Sequence, residues 1–175
     1  FDVDAARATA GVPDPTVVRG MPKVGGHLHD IVSCNFSHSG ELLLTASRDG
    51  QAKIWAWSAS RSSAASSASR TVRDSKSWKL QRVLTTSADA EALRQQARAR
   101  RAPVVYAMEQ AVWTLDDRTV VAAMSDFTIR VWEAASGMLT HTLRLHTNKV
   151  HVVQCHPHDP RLVFTAGHDG RVAVW

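Results

Sequence analysis

The chain has 175 residues, a net charge of +5 at pH 7 and 44% hydrophobic residues, a length that bounds one to two domains. No apolar run approaches the ~20 residues of a membrane span, and residues 1–20 lack the charged-then-apolar layout of a signal peptide. A soluble intracellular protein without membrane contact is therefore expected. Cys34 and Cys155 are its two cysteines, with no CxxC spacing, so nothing points to a disulfide scaffold, zinc or thiol chemistry. Both lie in predicted strands and are expected as buried, reduced thiols.

Residues 1–22 form an irregular entry segment, marked by Val12-Pro13-Asp14-Pro15, although Val17, Val18 and Val24 offer a strand ahead of Gly25-Gly26-His27. Two β-favouring runs follow, Ile31 to Phe36 and Leu42 to Thr45, separated by the turn composition Ser37-His38-Ser39-Gly40. Asp49-Gly50 favours a two-residue hairpin turn, and Gln51 to Trp57 alternates with Ala52, Ile54 and Ala56 on one side. Residues 58–69, SASRSSAASSAS, are a low-complexity linker too poor in apolar side chains to bury a core. Trp78 to Leu84 then reads as a delayed fourth strand. Thr86-Ser87-Ala88-Asp89 has the composition of a helix start, and Ala90 to Arg101 is rich in helix formers. Between residues 58 and 103 there are ten basic residues against three acidic, a net of +7 where the whole chain carries +5. Arg94, Arg98, Arg100 and Arg101 are its candidate basic patch, suited to nucleic acid or an acidic protein surface. A solvated loop with no dedicated partner is the plainer reading of the same charge.

Val104 to Leu115, Thr119 to Ala123 and Thr128 to Trp132 give three further strands, and Met138 to Leu143 a fourth. The last stretch, His146 to Trp175, repeats the order of His27 to Trp55. In each, a Thr lies four residues before an Asp and a Trp six after it, while the His precedes the Asp by 22 residues in one copy and 23 in the other. Such an internal repeat means small sheets that cannot bury their faces alone and must stack. The middle copy keeps Asp126 and Trp132 but has Ala122 in the hydroxyl position and no His upstream. Trp132 must find another acceptor or none.

These spacings resemble the WD40 repeat, one blade of a β-propeller. The resemblance implies an all-β fold in which His27, Thr45, Asp49 and Trp55, and again His146, Thr165, Asp169 and Trp175, form structural relays from indole to hydroxyl to imidazole to carboxylate. About three blades are expected, less than the roughly 4–8 of a closed ring, so the chain reads as a propeller fragment with a basic, partly helical or disordered insertion. The divisions are 1–22 irregular and 23–175 repeats. Within the repeats these are a blade at 23–57 with its outer strand at 78–85, the insertion at 58–103, a blade at 104–144 and an incomplete blade at 145–175.

More specific words are HPHDPRLVFTAGHDGRVAVW after LHTNKVHVVQ, TIRVWEAASGMLTHTL, WKLQRVL and SRDGQAKIWAW. They resemble the bromodomain and WD repeat-containing proteins over roughly residues 23–57, 78–85 and 104–175. What that implies is a nuclear, chromatin-associated scaffold with protein partners, involved in transcription, in a family whose members are thought to serve as receptors for cullin-RING ubiquitin ligases. The Arg that marks adaptor docking in such receptors has no counterpart after Trp55 or Trp132.

A Thr, a His and an Asp also make a nucleophile, base and orienter. The repetition and the Trp donor favour a structural network instead, so no catalytic residue, small-molecule substrate or cofactor is expected. Cys155, His156, His158 and Asp159 have ligand chemistry, but Pro157 and Pro160 place them in a turn whose spacing fits no common zinc pattern. His29, Asp30, Asn148 and Lys149, which follow the two relay histidines, are the candidate protein-contact residues.

Overall fold

The computed structural model describes residues 26–60, 75–85 and 106–175. They form three antiparallel sheets. The first contains β1 (Ile31–Phe36), β2 (Leu42–Ser47), β3 (Ala52–Ser60) and β4 (Ser75–Leu84) in that order. The second contains β5 (Met108–Trp113), β6 (Thr119–Met124), β7 (Ile129–Glu133) and β8 (Leu139–Leu143); the third contains β9 (Val150–Cys155), β10 (Val163–Gly167) and β11 (Val172–Val174). The strands adjoin in sequence order, as short hairpin connections dictate.

Alternation along the strands decides the stacking. Leu44, Ala46, Ala52, Ile54 and Leu84 of sheet 1 pack against Met108, Ala111, Trp113, Val120, Ala122, Met124 and Trp132 of sheet 2. The intervening residues of β6, Val121 and Ala123, turn the other way and join Ile129, Val150, Val153 and Val163 in a second core with sheet 3. Because β6 is buried on both faces, its residues from Val120 to Met124 are a continuous apolar run. The first strands adjoin as well, β1 against β5 and β5 against β9. Their half-buried polar side chains are bonded across the sheets: Asn35 Nδ2 donates to Ala111 O at 2.8 Å, Ala111 N to Ser33 Oγ at 3.1 Å, and Val153 N to Gln110 Oε1 at 2.7 Å.

The β3–β4 hairpin runs further than its composition suggests. Trp57 pairs with Trp78, and the ladder continues through Ser58–Ser77, Ala59–Lys76 and Ser60–Ser75, so the first Ser/Ala residues of the expected linker belong to β3. The Trp57 and Trp78 rings meet edge-on at 5.0 Å and Phe36 lies 5.9 Å from Trp78. This aromatic contact at the base supports a ladder that the weak β propensity of Ser and Ala would not start. The expected helix at 90–101, with Arg94, Arg98, Arg100 and Arg101, and the entry segment 1–22 lie outside the described residues.

Cys34 departs from expectation. It is exposed on β1, whereas Cys155 is half-buried against the sheet 2–sheet 3 core. Burial, with the charge of Asp116 adding to it, pushes the Cys155 thiol up to about 11.

Candidate functional site

The two four-residue sets assemble the same way in sheets 1 and 3. The β2–β3 turn brings Asp49 beside His27, and the β10–β11 turn brings Asp169 beside His146. His27 Nδ1 lies 3.0 Å from Asp49 Oδ2 and its Nε2 2.8 Å from Thr45 Oγ1; Trp55 Nε1 donates to the same hydroxyl at 2.9 Å. In sheet 3 the three distances are 2.9, 2.8 and 2.9 Å for His146–Asp169, His146–Thr165 and Trp175–Thr165. A carboxylate only accepts, so Nδ1 carries the proton facing it; with the ring neutral, the Thr hydroxyl donates to Nε2 and accepts from the indole. Every polar atom of the set is then satisfied.

The carboxylates are engaged further. Asp49 Oδ2 also accepts the Leu28 N–H at 2.9 Å and Oδ1 the Gln51 N–H at 3.0 Å, while Asp169 takes the N–H groups of Thr147 at 3.0 Å and Arg171 at 3.1 Å. Each Asp thus ties the segment leading into its sheet, its own turn and the imidazole together. Burial pushes the Asp49 carboxyl up, but the bonds from His27, Leu28 and Gln51 outweigh it and hold it below the usual carboxylate range. For Asp169 the same contest, against Thr147, Arg171 and His146, ends at about 2.

This enclosure determines what the sets can do chemically. Thr45 and Thr165 are 2% and 0% exposed, and each hydroxyl is already shared between an indole and an imidazole. A substrate carbonyl has no approach to either oxygen, and a nucleophile needs one. The arrangement fixes a turn and a strand rather than presenting a reacting atom.

Sheet 2 replaces the relay with different contacts. Trp132 donates to the Thr85 carbonyl at 3.4 Å, a weaker bond than those of Trp55 and Trp175. Asp126 accepts from Thr128 Oγ1 at 2.6 Å and from Arg130 Nη2 at 3.0 Å, and the Arg130 guanidinium lies 5.9 Å from the Tyr106 ring centre. A basic residue also follows Asp49 by four places in sheet 1: Lys53 is buried and donates to Gly26 O at 2.7 Å. This shared spacing, Asp49 to Lys53 and Asp126 to Arg130, was the readable signal for two buried cations that residue type alone would place in solvent.

The candidate contact residues occupy equivalent places beside the two relays. His29 and Asp30 are exposed, with Asp30 3.5 Å from Arg48 Nη1. Asn148 is exposed, and Lys149 reaches Glu109 of sheet 2 at 2.8 Å while keeping 42% of its side chain exposed. At the opposite rim, His156 Nδ1 accepts the N–H groups of His158 at 3.2 Å and Asp159 at 3.0 Å, and Arg161 Nη2 donates to Asp159 at 2.9 Å. These side chains close their own turn.

Comparison with known proteins agrees with this geometry. Residues 21–56 and 137–175 match the WD40 family model, the WD domain, G-beta repeat; sheet 2, which lacks the relay, falls largely between the two matches. A bromodomain and WD repeat-containing protein of Dictyostelium discoideum is 26% identical over 154 residues, covering 86% of this chain and 6% of that protein. Autophagy-related protein 16 of Arabidopsis thaliana is 37% identical over 62 residues, covering 35% of this chain and 12% of the relative. Human coronin-2A is 30% identical over 67 residues, 34% of this chain and 13% of its own length. This chain therefore spans a small part of each. Among solved structures, the Cps50 (Swd1) β-propeller domain of Myceliophteria thermophila superposes with a TM-score of 0.60 at 18% identity, over 83% of this chain and 37% of that one. Residues 21–56 and 137–175 are thus similar to WD40 repeats, and the three sheets have the fold of part of a β-propeller.

Proposed function

We propose that the chain is part of a non-enzymatic protein-interaction scaffold whose contacts include His29, Asp30, Asn148 and Lys149. The observation that carries this reading is the division of labour at each relay. The relay imidazoles and carboxylates are enclosed and satisfied, whereas His29, Asp30 and Asn148 face solvent and Lys149, paired with Glu109, keeps 42% of its side chain exposed. Exposed polar residues on a rigid scaffold are where recognition is usually placed. In finer detail the reading is of a nuclear, chromatin-associated protein acting in transcription, supported by the resemblance to bromodomain and WD repeat-containing proteins.

The test uses the intact protein in cells. Proximity labelling with the His29→Ala, Asp30→Ala, Asn148→Ala, Lys149→Ala variant should lose a defined subset of partners while the protein stays folded, the lost Lys149–Glu109 pair costing about 1 kcal/mol or less. A partner set identical to that of the parent overturns the contact assignment. Chromatin fractionation tests the finer reading, which fails if the protein is absent from that fraction.

The charge of residues 58–103 favours a second reading, nucleic-acid attraction, and on β4 both Lys79 and Arg82 are exposed. Replacing Arg94, Arg98, Arg100 and Arg101 together should flatten the dependence of nucleic-acid binding on salt. An unchanged slope sinks this second reading.

A further inference from the structure

Sheet 2 departs from its neighbours at two turn positions that need a left-handed backbone. In sheet 1 both positions hold glycine, Gly40 with φ 76° and Gly50 with φ 79°, and in sheet 3 the second does, Gly170 with φ 71°. In sheet 2 the counterpart of Gly40 is Asp117, with φ 56°, and that of Gly50 and Gly170 is Phe127, with φ 66°. The equivalence rests on the turn bonds. Gly40 N donates to Ser37 O at 3.0 Å and Asp117 N to Thr114 O at 3.0 Å, while Gly50, Phe127 and Gly170 donate to Ser47, Met124 and Gly167. Glycine adopts this backbone without a Cβ penalty, and a side chain there is strained.

Asp117 has a use for its side chain that a glycine could not serve. One carboxylate oxygen accepts the His38 N–H at 2.7 Å, the other accepts the Ser39 N–H at 2.8 Å, and His38 Nδ1 lies 3.2 Å from the first. His38 and Ser39 belong to the β1–β2 turn of sheet 1. Two successive N–H groups pointing the same way make a small anion cradle, and the neighbouring sheet supplies the anion. Asp117 is held below the usual carboxylate range, burial pushing it up and the two backbone bonds more than offsetting that. It is therefore ionised and able to accept both bonds at neutral pH.

We propose that Asp117 is an inter-sheet latch, a conformational device that holds the β1–β2 turn of sheet 1 against the β5–β6 turn of sheet 2. It works with the Ser33 and Asn35 bonds to Ala111 further along the same strands. Together they fasten β1, whose own side chains alternate between exposed and half-buried, to the rest of the propeller. Asp117 is a positioning residue: the left-handed turn places its carboxylate at the neighbouring amides, and the gain in inter-sheet contact offsets the strain.

The two non-glycine positions give opposite expectations for the same substitution, and both are made in the intact protein. Phe127→Gly removes strain and no hydrogen bond, so it should raise the melting temperature by a few degrees. Asp117→Gly removes the same kind of strain but opens the latch, so it should lower the melting temperature. In Asp117→Gly the His38 and Ser39 amides should exchange with solvent at least about tenfold faster, and in Asp117→Asn, which keeps one acceptor oxygen, by less. The proposal is overturned if Asp117→Gly stabilises as Phe127→Gly does, or if the His38 and Ser39 amides exchange at the parent rate in both Asp117 variants.

Discussion

Thr45 and Thr165 each join a Trp to a His through one oxygen, so removing that oxygen strips two buried groups of a partner. Thr45→Val or Thr165→Val keeps the shape of the side chain and should cost roughly 1–3 kcal/mol in urea unfolding. Trp55→Phe and Trp132→Phe separate the hydrogen bond from the packing. Both indoles are buried, so the volume lost is alike, and Trp55→Phe should cost more by about 1 kcal/mol because its bond is 2.9 Å against 3.4 Å. Acid should weaken the sets. Asp49 and Asp169 have folded pKa values below the unfolded one, so their contribution is present above the unfolded value and is lost as pH falls through the folded one. Stability should therefore decline below ~pH 4, continuing towards about 2 for Asp169; a melting temperature flat from neutral pH into that range contradicts the pairing. At this scale the Thr, Asp and Trp spacings were legible because they recur. The exposure of Cys34 was not, since alternation along β1 does not say which face a neighbouring sheet covers. At mildly alkaline pH, iodoacetamide should modify Cys34 before Cys155, whose thiol titrates near 11.

Strand β6 shows how an element can lose a motif and keep its place. Ala122 occupies the hydroxyl position and is fully buried against sheet 1, where the indole of Trp132 has turned to the Thr85 carbonyl. Restoring the hydroxyl alone should not help. Ala122→Thr adds volume to a packed core without supplying an imidazole, and should cost about 1–3 kcal/mol; unfolding at or above the parent's stability would show that the site has room. Gly167 is tighter still, since a Cβ there would come within 2.9 Å of the Lys149 carbonyl, so Gly167→Ala should destabilise sheet 3. Most strands were legible from β-favouring runs and turn residues. The extension of β3 and β4 past Trp57 and Trp78 was not, because cross-strand aromatic packing rather than local propensity carries it.

The three sheets stack through two continuous cores, and in both terminal sheets one face carries exposed apolar side chains. Phe36 is 62% exposed, yet Trp113, its counterpart at the end of β5, is 3% exposed because sheet 1 covers it. Val172 and Val174 stand exposed on β11 in the same way. Faces of this kind are where propeller blades adjoin. The fold was legible from the repeat because small sheets with two apolar faces have to stack. The partner was not, since rim residues such as His29 and Lys149 follow from geometry in position but not in what they bind.

The repeated His, Thr, Asp and Trp sets are expected to support the fold rather than to react. Calorimetric melting of Thr45→Val and Thr165→Val, set beside Thr142→Val on the exposed face of β8, tests it most directly. The relay variants should melt several degrees below the parent and Thr142→Val within about one degree of it, since isolated surface changes stay within about 0.5 kcal/mol. Relay variants that melt with the parent would contradict the claim and return the enclosed threonines to consideration as reacting groups.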